Sequence, residues 1–332
     1  QEEVLTEELS DYLKENKIEV RPYNSFYDYV KTISDDATVL MDASVVNYRI
    51  ANSISKEAKI LDEKDPSIFM KSVKNEVELK NTRNAHLKDA VAMCKFMYWL
   101  KTNVGKIPMT EIFVSDYLES LRRQQEGCFD LSFDTICGYA EHGAIVHYSA
   151  TEETSATLKP EGLLLVDSGG QYMEGTTDIT RTFALGPVTD EMKSDFTRVC
   201  RSNMNLANVR FLHGCSGVNL DVIARQPLWE ANLDYKHGTG HGVGHILNVH
   251  EGPNGFHWGR KNYIYPLEEG MITTDEPGIY IEGKYGIRLE NLVLSRKGQK
   301  NGNQQFMCFE VLTLVPFDLR AVDVFMLTEA ER

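Results

Sequence analysis

Four glycines at alternate positions, Gly238, Gly240, Gly242 and Gly244, interleave three histidines, His237, His241 and His245, in a single nine-residue run. That run excludes most of what the segment could become. Each glycine costs a helix about 1 kcal/mol relative to alanine. An HExxH zinc helix would also need glutamate where Gly242 stands. The glycines read GxGxG, not the GxGxxG that opens a helix onto a dinucleotide. What remains is a glycine-dense strand whose bare backbone lets a metal or a substrate approach the histidines closely. His250 follows just beyond, in Asn248-Val249-His250-Glu251. Four other histidines, His86, His142, His213 and His257, read as core side chains satisfied by backbone.

Acidic residues form a second pattern. An apolar run leads into Val166-Asp167-Ser168-Gly169-Gly170, and Thr177-Asp178-Ile179-Thr180-Arg181 follows after a glycine-containing turn. Later, Asp275-Glu276-Pro277-Gly278 and Ile287-Arg288-Leu289-Glu290-Asn291 repeat the arrangement around Gly283 and Gly286. In each case a hairpin can place two carboxylates on one face of neighbouring strands. In a chain with 49 acidic residues, any one of these four could be an ordinary surface acid. Two hairpins built alike are harder to dismiss, because a carboxylate on a core-facing sheet needs a cation. Four carboxylates and an imidazole make a hard, oxygen-rich set, suited to Mn²⁺ or another divalent first-row ion rather than a thiolate zinc site. Such a set can hold two ions about 3.5–4 Å apart.

The 332 residues suggest about two domains. Residues 1–65 read as a small α/β piece, with helices over 4–15, 25–33 and 45–54 and strands over 38–41 and 58–61; Asp65-Pro66 closes it. In 66–332 one order of elements runs twice. Helices over 77–100 and 110–125 precede strands over 135–139, 144–148 and 162–167. Helices over 191–212 and 220–231 precede strands over 270–274, 278–281 and 287–294. The net charge of −14 argues against nucleic acid and anionic membranes as partners, and no apolar run approaches the ~20 residues of a membrane span. Six cysteines without a CxxC fit free thiols in a reducing, cytoplasmic compartment. The opening Gln1 and the lack of a signal-peptide core are expected of a trimmed chain.

The motifs GAIVHYSA, LLLVDSGGQYMEGTTDITRTF, HGTGHGVGHILNVHEGP, MITTDEPGIY and GIRLEN, in that order between Lys71 and Phe317, resemble the pita-bread metallopeptidases of the X-prolyl aminopeptidase (aminopeptidase P) type. The resemblance implies an α/β (α+β) pita-bread fold of two similar halves, each a helix pair plus a sheet, with 1–65 as part of a middle linker domain. It implies Asp167, Asp178, His241, Glu276 and Glu290 as ligands of two divalent metals, with Mn²⁺ expected. His147, His237 and His250 would be non-ligand active-site histidines and Arg288 a partner of the ligand carboxylates; His245 stays outside the site. The implied reaction releases the residue before a proline, through a hydroxide shared by the two ions. Glu276 would act as general base, His147 and His250 would donate to the carbonyl oxygen, and His237 would line the proline pocket. A homodimer is expected by analogy. Longer family members carry a further N-terminal domain and a C-terminal helix beyond Arg332. Prolidase, methionine aminopeptidase and a non-catalytic binding module are the alternatives; a creatinase-like relative would lack the full ligand set.

Overall fold

The computed structural model describes residues 5–246, 248–259 and 264–332. It divides into two compact units, Gln1–Ile68 and Phe69–Arg332.

The first unit holds helices α1 (Glu7–Glu15), α2 (Phe26–Lys31) and α3 (Tyr48–Ala51) and strands β1 (Thr38–Met41) and β2 (Lys59–Asp62). The strands run parallel, Thr38 opposite Lys59, over a small core of Val30, Ile54 and Ala58. Thr6 caps α1 by accepting from the Leu9 amide, so the helix starts later than expected; Val4 lies outside the described residues. Asp65-Pro66, three residues before the end of the first unit, opens another helix, α4 (Pro66–Ser72), because proline loses nothing at a first helical position, where its missing N–H has no partner anyway.

In the second unit a capping box starts α5 (Glu76–Asn103): Asn75 accepts from the Val77 and Glu78 amides, and the Glu78 carboxylate accepts from the Asn75 amide. Thr110 caps α6 (Glu111–Arg123). Two short strands, β3 (Cys128–Leu131) and β4 (Ile136–Tyr139), then lead to β5 (Leu163–Ser168), the small hairpin β6 (Gly170–Tyr172) and β7 (Gly175–Thr176), and β8 (Ile179–Ala184). β5 lies between β4 and β8, antiparallel to both, with Asp167 opposite Thr180. Strand alternation sorts the side chains. Leu164 and Val166 of β5, with Ile179 and Phe183 of β8, pack on Met93, Phe96, Val114 and Leu118 of α5 and α6. Asp167, Thr180 and Thr182 therefore fall on the opposite face.

The order then recurs. Thr189 caps α7 (Asp190–Ala207), and β9 (Phe211–Leu212), α8 (Gly217–Trp229), β10 (Gly240–His241) and β11 (Gly255–Phe256) follow. β12 (Ile272–Asp275) runs into Glu276. A hairpin of β13 (Gly278–Ile281) and β14 (Tyr285–Arg288) comes next, then Glu290 and β15 (Asn291–Asn301), which pairs with both β12 and β16 (Gln304–Val311). Helix pair, acid-ended strand, small hairpin and acid-headed strand thus occur twice, which is the two-half pita-bread arrangement.

Three expected elements differ. Residues 144–148 form no strand: a 3₁₀ turn over Ala140–Ala144 gives way to turns closed by Ile145 N–H to His142 O and Tyr148 N–H to Ile145 O. The expected strand over 287–294 is two strands. The Leu289 amide bonds Pro277 O, but the next amide, Glu290, bonds Thr180 O in the other half. The glycine-rich strand is only β10, two residues long, because the backbone beyond it turns: Gly242 N–H bonds Asn254 O and Gly244 N–H bonds Asn248 O.

Candidate metal centre

The two halves bring their acids together. Asp167 is the last but one residue of β5 and Asp178 precedes β8; Glu276 follows β12 and Glu290 precedes β15. His241 sits on β10, which Gly240 allows to lie against β12: a methyl group on Gly240 would meet Thr274 O at 1.8 Å. Among the described residues, three groups place one donor atom per side chain within 4.8 Å of each other. They are Asp178–His241–His250, His241–Glu276–Glu290 and Asp167–Asp178–Glu290. One cavity of about 430 Å³ is lined by all nine expected site residues, Asp167, Asp178, His241, Glu276, Glu290, His147, His237, His250 and Arg288. His245 instead lies against Thr82, 3.4 Å from its hydroxyl.

The electrostatics of the cluster call for a cation. Burial raises the carboxyl groups of Asp178 and Glu290 well above the ordinary range, and neighbouring acids add to the rise. Burial likewise pushes Glu276 up to about 8, against the pull of Arg288. Among the described residues no hydrogen-bond partner reaches the buried Asp167 Oδ1. His241 donates from Nδ1 to Gly242 O at 3.0 Å, so Nε2 presents its lone pair to Asp178 Oδ2 and Glu276 Oε1, each 3.5 Å away. Burial, then His250, lowers this ring to about 3, so it stays neutral. A lone pair facing two carboxylate oxygens, beside an orphaned carboxylate oxygen, fits divalent cations.

Arg288 organises the flank. Its Nη2 donates to Asp167 Oδ2 at 2.7 Å and its Nε to Thr180 Oγ1 at 3.2 Å; Thr180 in turn donates to Glu290 Oε2 at 2.8 Å. Its Nη1 donates to the Tyr280 hydroxyl at 2.8 Å. His237 donates from Nδ1 to Gly238 O at 2.7 Å, so its Nε2 accepts from Tyr280, also at 2.8 Å. Burial and the nearby guanidinium lower His237 to about 3. Burial opposes the charge of Arg288, but Tyr280, Asp167 and Glu276 hold it above its ordinary range.

Thr180 and Tyr280 were not readable as site residues, since nothing in the sequence distinguishes one hydroxyl from another. Phe133, Ile136, Val146 and Val249 line the apolar part of the cavity, as does His257, which was expected in the core. Of the other expected core histidines, His86 bonds backbone, with Nδ1 2.9 Å from Thr82 O. His142 bonds the Glu111 carboxylate and His213 that of Glu268.

The geometry has relatives. Xaa-Pro aminopeptidase 1 of Dictyostelium discoideum is 38% identical over 95% of this chain and 51% of its own length. Aminopeptidase P2 of Arabidopsis thaliana is 38% identical over 98% of this chain and 51% of its own length. The chain thus spans about half the length of the curated relatives it matches. The crystal structure of X-prolyl aminopeptidase from Caenorhabditis elegans, described as a cytosolic enzyme with a di-nuclear active site, superposes with a TM-score of 0.92 at 33% identity, over 100% of this chain and 55% of that one. X-Pro aminopeptidase from Thermotoga maritima gives 0.68 at 28% identity, over 90% and 80%. The creatinase/prolidase N-terminal domain profile matches residues 1–78. That of metallopeptidase family M24 matches residues 80–297, and the chain belongs to this family.

Proposed function

We propose that this chain carries the catalytic part of a metal-dependent aminopeptidase that releases the N-terminal residue from peptides with proline second. The observation that carries the reading is that five donor side chains from both halves meet in overlapping groups, with no hydrogen-bond partner for Asp167 Oδ1 among the described residues. The relatives' names supply the substrate class.

Asp167, Asp178, His241, Glu276 and Glu290 would hold two divalent cations, and their oxygen-rich set favours Mn²⁺. Cations held there supply Lewis acidity and make water acidic enough to ionise near neutrality. The remaining work falls to the chain. Glu276, at the cavity wall, takes a proton on a carboxylate oxygen and returns it to the leaving amine. His250 and His147, on the open side, donate to the substrate carbonyl oxygen as charge develops; comparable donors are worth about 3–4 kcal/mol. Arg288 orients Asp167, a contribution typical of groups that bond a metal ligand. His237 has both nitrogens already engaged, so it offers the proline ring a shape rather than a hydrogen bond. An imide nitrogen has no N–H for it to read.

The cytosol is the proposed compartment, supported by six free cysteines. Among the described residues no helix is long and apolar enough to cross a membrane. We also propose a homodimer, by analogy, which sedimentation would test.

The functional test is hydrolysis of Arg-Pro-Pro, Ala-Pro and Met-Ala-Ser by chelator-stripped protein with and without Mn²⁺. Mn²⁺-dependent cleavage before proline in the tripeptide is expected, with a loss of about 10²-fold or more in Glu276→Gln. Cleavage of Ala-Pro alone would make the protein a prolidase. Cleavage of Met-Ala-Ser alone would make it a methionine aminopeptidase. Bound metal without turnover would mean either that segments of a longer chain are needed or that the fold serves as a binding module, and repeating the assay on the full-length chain would separate the two.

A further inference from the structure

Glu111, the first residue of α6, is fully buried and does not line the cavity. Its carboxylate is nonetheless crowded with donors. The Tyr139 amide reaches Oε1 at 2.7 Å, the Ala156 amide reaches Oε2 at 2.8 Å, and the Tyr148 hydroxyl reaches Oε2 at 3.0 Å. His142 Nδ1 lies 2.9 and 3.1 Å from the two oxygens. All four donors belong to the segment 139–156, and His147 sits at its middle.

Elsewhere the segment is held at a few points: the Ala156 carbonyl accepts from the Glu111 amide, and Ser155 Oγ accepts from the Ile112 amide. It contains no strand beyond the last residue of β4, and its inner hydrogen bonds are isolated turns. The His142 ring stacks on Tyr148 with centroids 4.5 Å apart, so two of the donors also brace each other. On its far side Gly143 lies so close to Gly286 that a methyl group on Gly286 would meet Gly143 O at 1.6 Å. Arg288 Nη2 touches Val146 O at 3.4 Å. Among the described residues no hydrogen bond holds the His147 ring itself, so the backbone of this segment, which fixes its Cα–Cβ bond, is what places it.

We propose that Glu111 is a positioning residue: by gathering Tyr139, His142, Tyr148 and Ala156 it fixes the segment that aims His147 at the carboxylate cluster. The inference rests on the reading of His147 as a donor to the substrate carbonyl. A carboxylate suits the task because it is acceptor-only and can serve several donors at once. Glutamine keeps the shape but turns one acceptor into a donor facing donors.

The test is a double-mutant cycle on the full chain with Mn²⁺ and Arg-Pro-Pro. Glu111→Gln is expected to lower kcat about tenfold or more with little change in KM, and to add less than about threefold once His147→Ala is present, because coupled residues are not additive. Multiplying effects, with His147→Ala itself impaired, would overturn this inference alone and leave the proposed function standing. A His147→Ala variant with full kcat would overturn both the role of His147 and the inference. Should Glu111→Gln fail to fold, Tyr148→Phe removes a single donor and enters the same cycle. A readout without turnover is the ring spectrum of ¹⁵N-histidine protein stripped of metal. Glu111→Gln is expected to shift the His147 resonance along with that of His142 and to leave His237 in place. An unmoved His147 would overturn the proposal.

Discussion

Thr180 occupies a narrow bridge between two charges: its hydroxyl accepts from Arg288 Nε and donates to Glu290 Oε2. Thr180→Val preserves the shape and removes both bonds, leaving a buried guanidinium N–H without a partner. Divalent-metal affinity, measured by calorimetry on stripped protein, is expected to fall about 10–100-fold, the usual cost of losing a group that orients a ligand. The acids themselves predict a pH dependence. Asp178, Glu276 and Glu290 are all raised on folding, Glu276 to about 8. A carboxyl group raised in this way stabilises the fold while protonated, and the contribution is lost as pH climbs through its folded value. The buried histidines His237 and His241, lowered to about 3, behave oppositely, their contribution being lost only as pH falls below about 6.5. Between pH 6.5 and about 8 the carboxyl groups therefore act alone. Denaturant unfolding of stripped protein should show stability falling with pH there, by up to about 1.4 kcal/mol per unit for each proton released. Mn²⁺ should reverse the fall; a flat profile would contradict the assigned burial.

At the scale of elements, what could be read from the sequence was whatever local pattern dictates. The helix read over 77–100 is α5, and the apolar run into Asp167 marks β5. What could not be read depended on partners distant in the chain. Residues 144–148 read like a strand, yet Glu111 draws that segment in through side-chain bonds, and Gly286 of β14 packs on Gly143 without pairing as a strand. Continuous apolar spacing hides the break at Leu289 and Glu290, because only the fold supplies Thr180 O as the new partner for the Glu290 amide. The glycine run was correctly legible as a place of close approach, and Gly240 shows why: a Cβ there would meet Thr274 O at 1.8 Å. Gly240→Ala must separate β10 from β12, at a cost of about 1–3 kcal/mol for overpacking, and must carry His241 away from Asp178 and Glu276. Thermal unfolding and metal titration should both register it. Gly302→Ala, on an open turn where a methyl group would meet nothing within 4 Å, should leave metal affinity unchanged.

For the second unit as a whole, the repeated order of elements was visible in the chain, but the joint between the halves was not. Much of that joint is made by Arg181, which is buried and whose Nη1 donates to Thr180 O at 2.8 Å and to Glu290 O at 2.5 Å. Its Nη2 donates to Asn291 Oδ1 at 2.7 Å and Val315 O at 2.6 Å. Nothing in the sequence marks this arginine out from the others. The candidate metal groups straddle the same joint, since Asp178 meets His241 and His250, and Asp167 and Asp178 meet Glu290. Without cations the two halves meet acid against acid, and that repulsion opposes the hydrogen bonds of Arg181. Cations bound by both halves at once would turn the seam into a cross-link, and their binding energy would add to its stability by mass action. Hydrogen exchange of stripped protein against Mn²⁺-loaded protein separates this from local ordering. Protection is expected to rise together in β5, β8, β12 and β15, because opening either half would release the ions. Protection confined to β12 and β15, the strands beside His241, Glu276 and Glu290, would mean that a single ion is held by the second half alone.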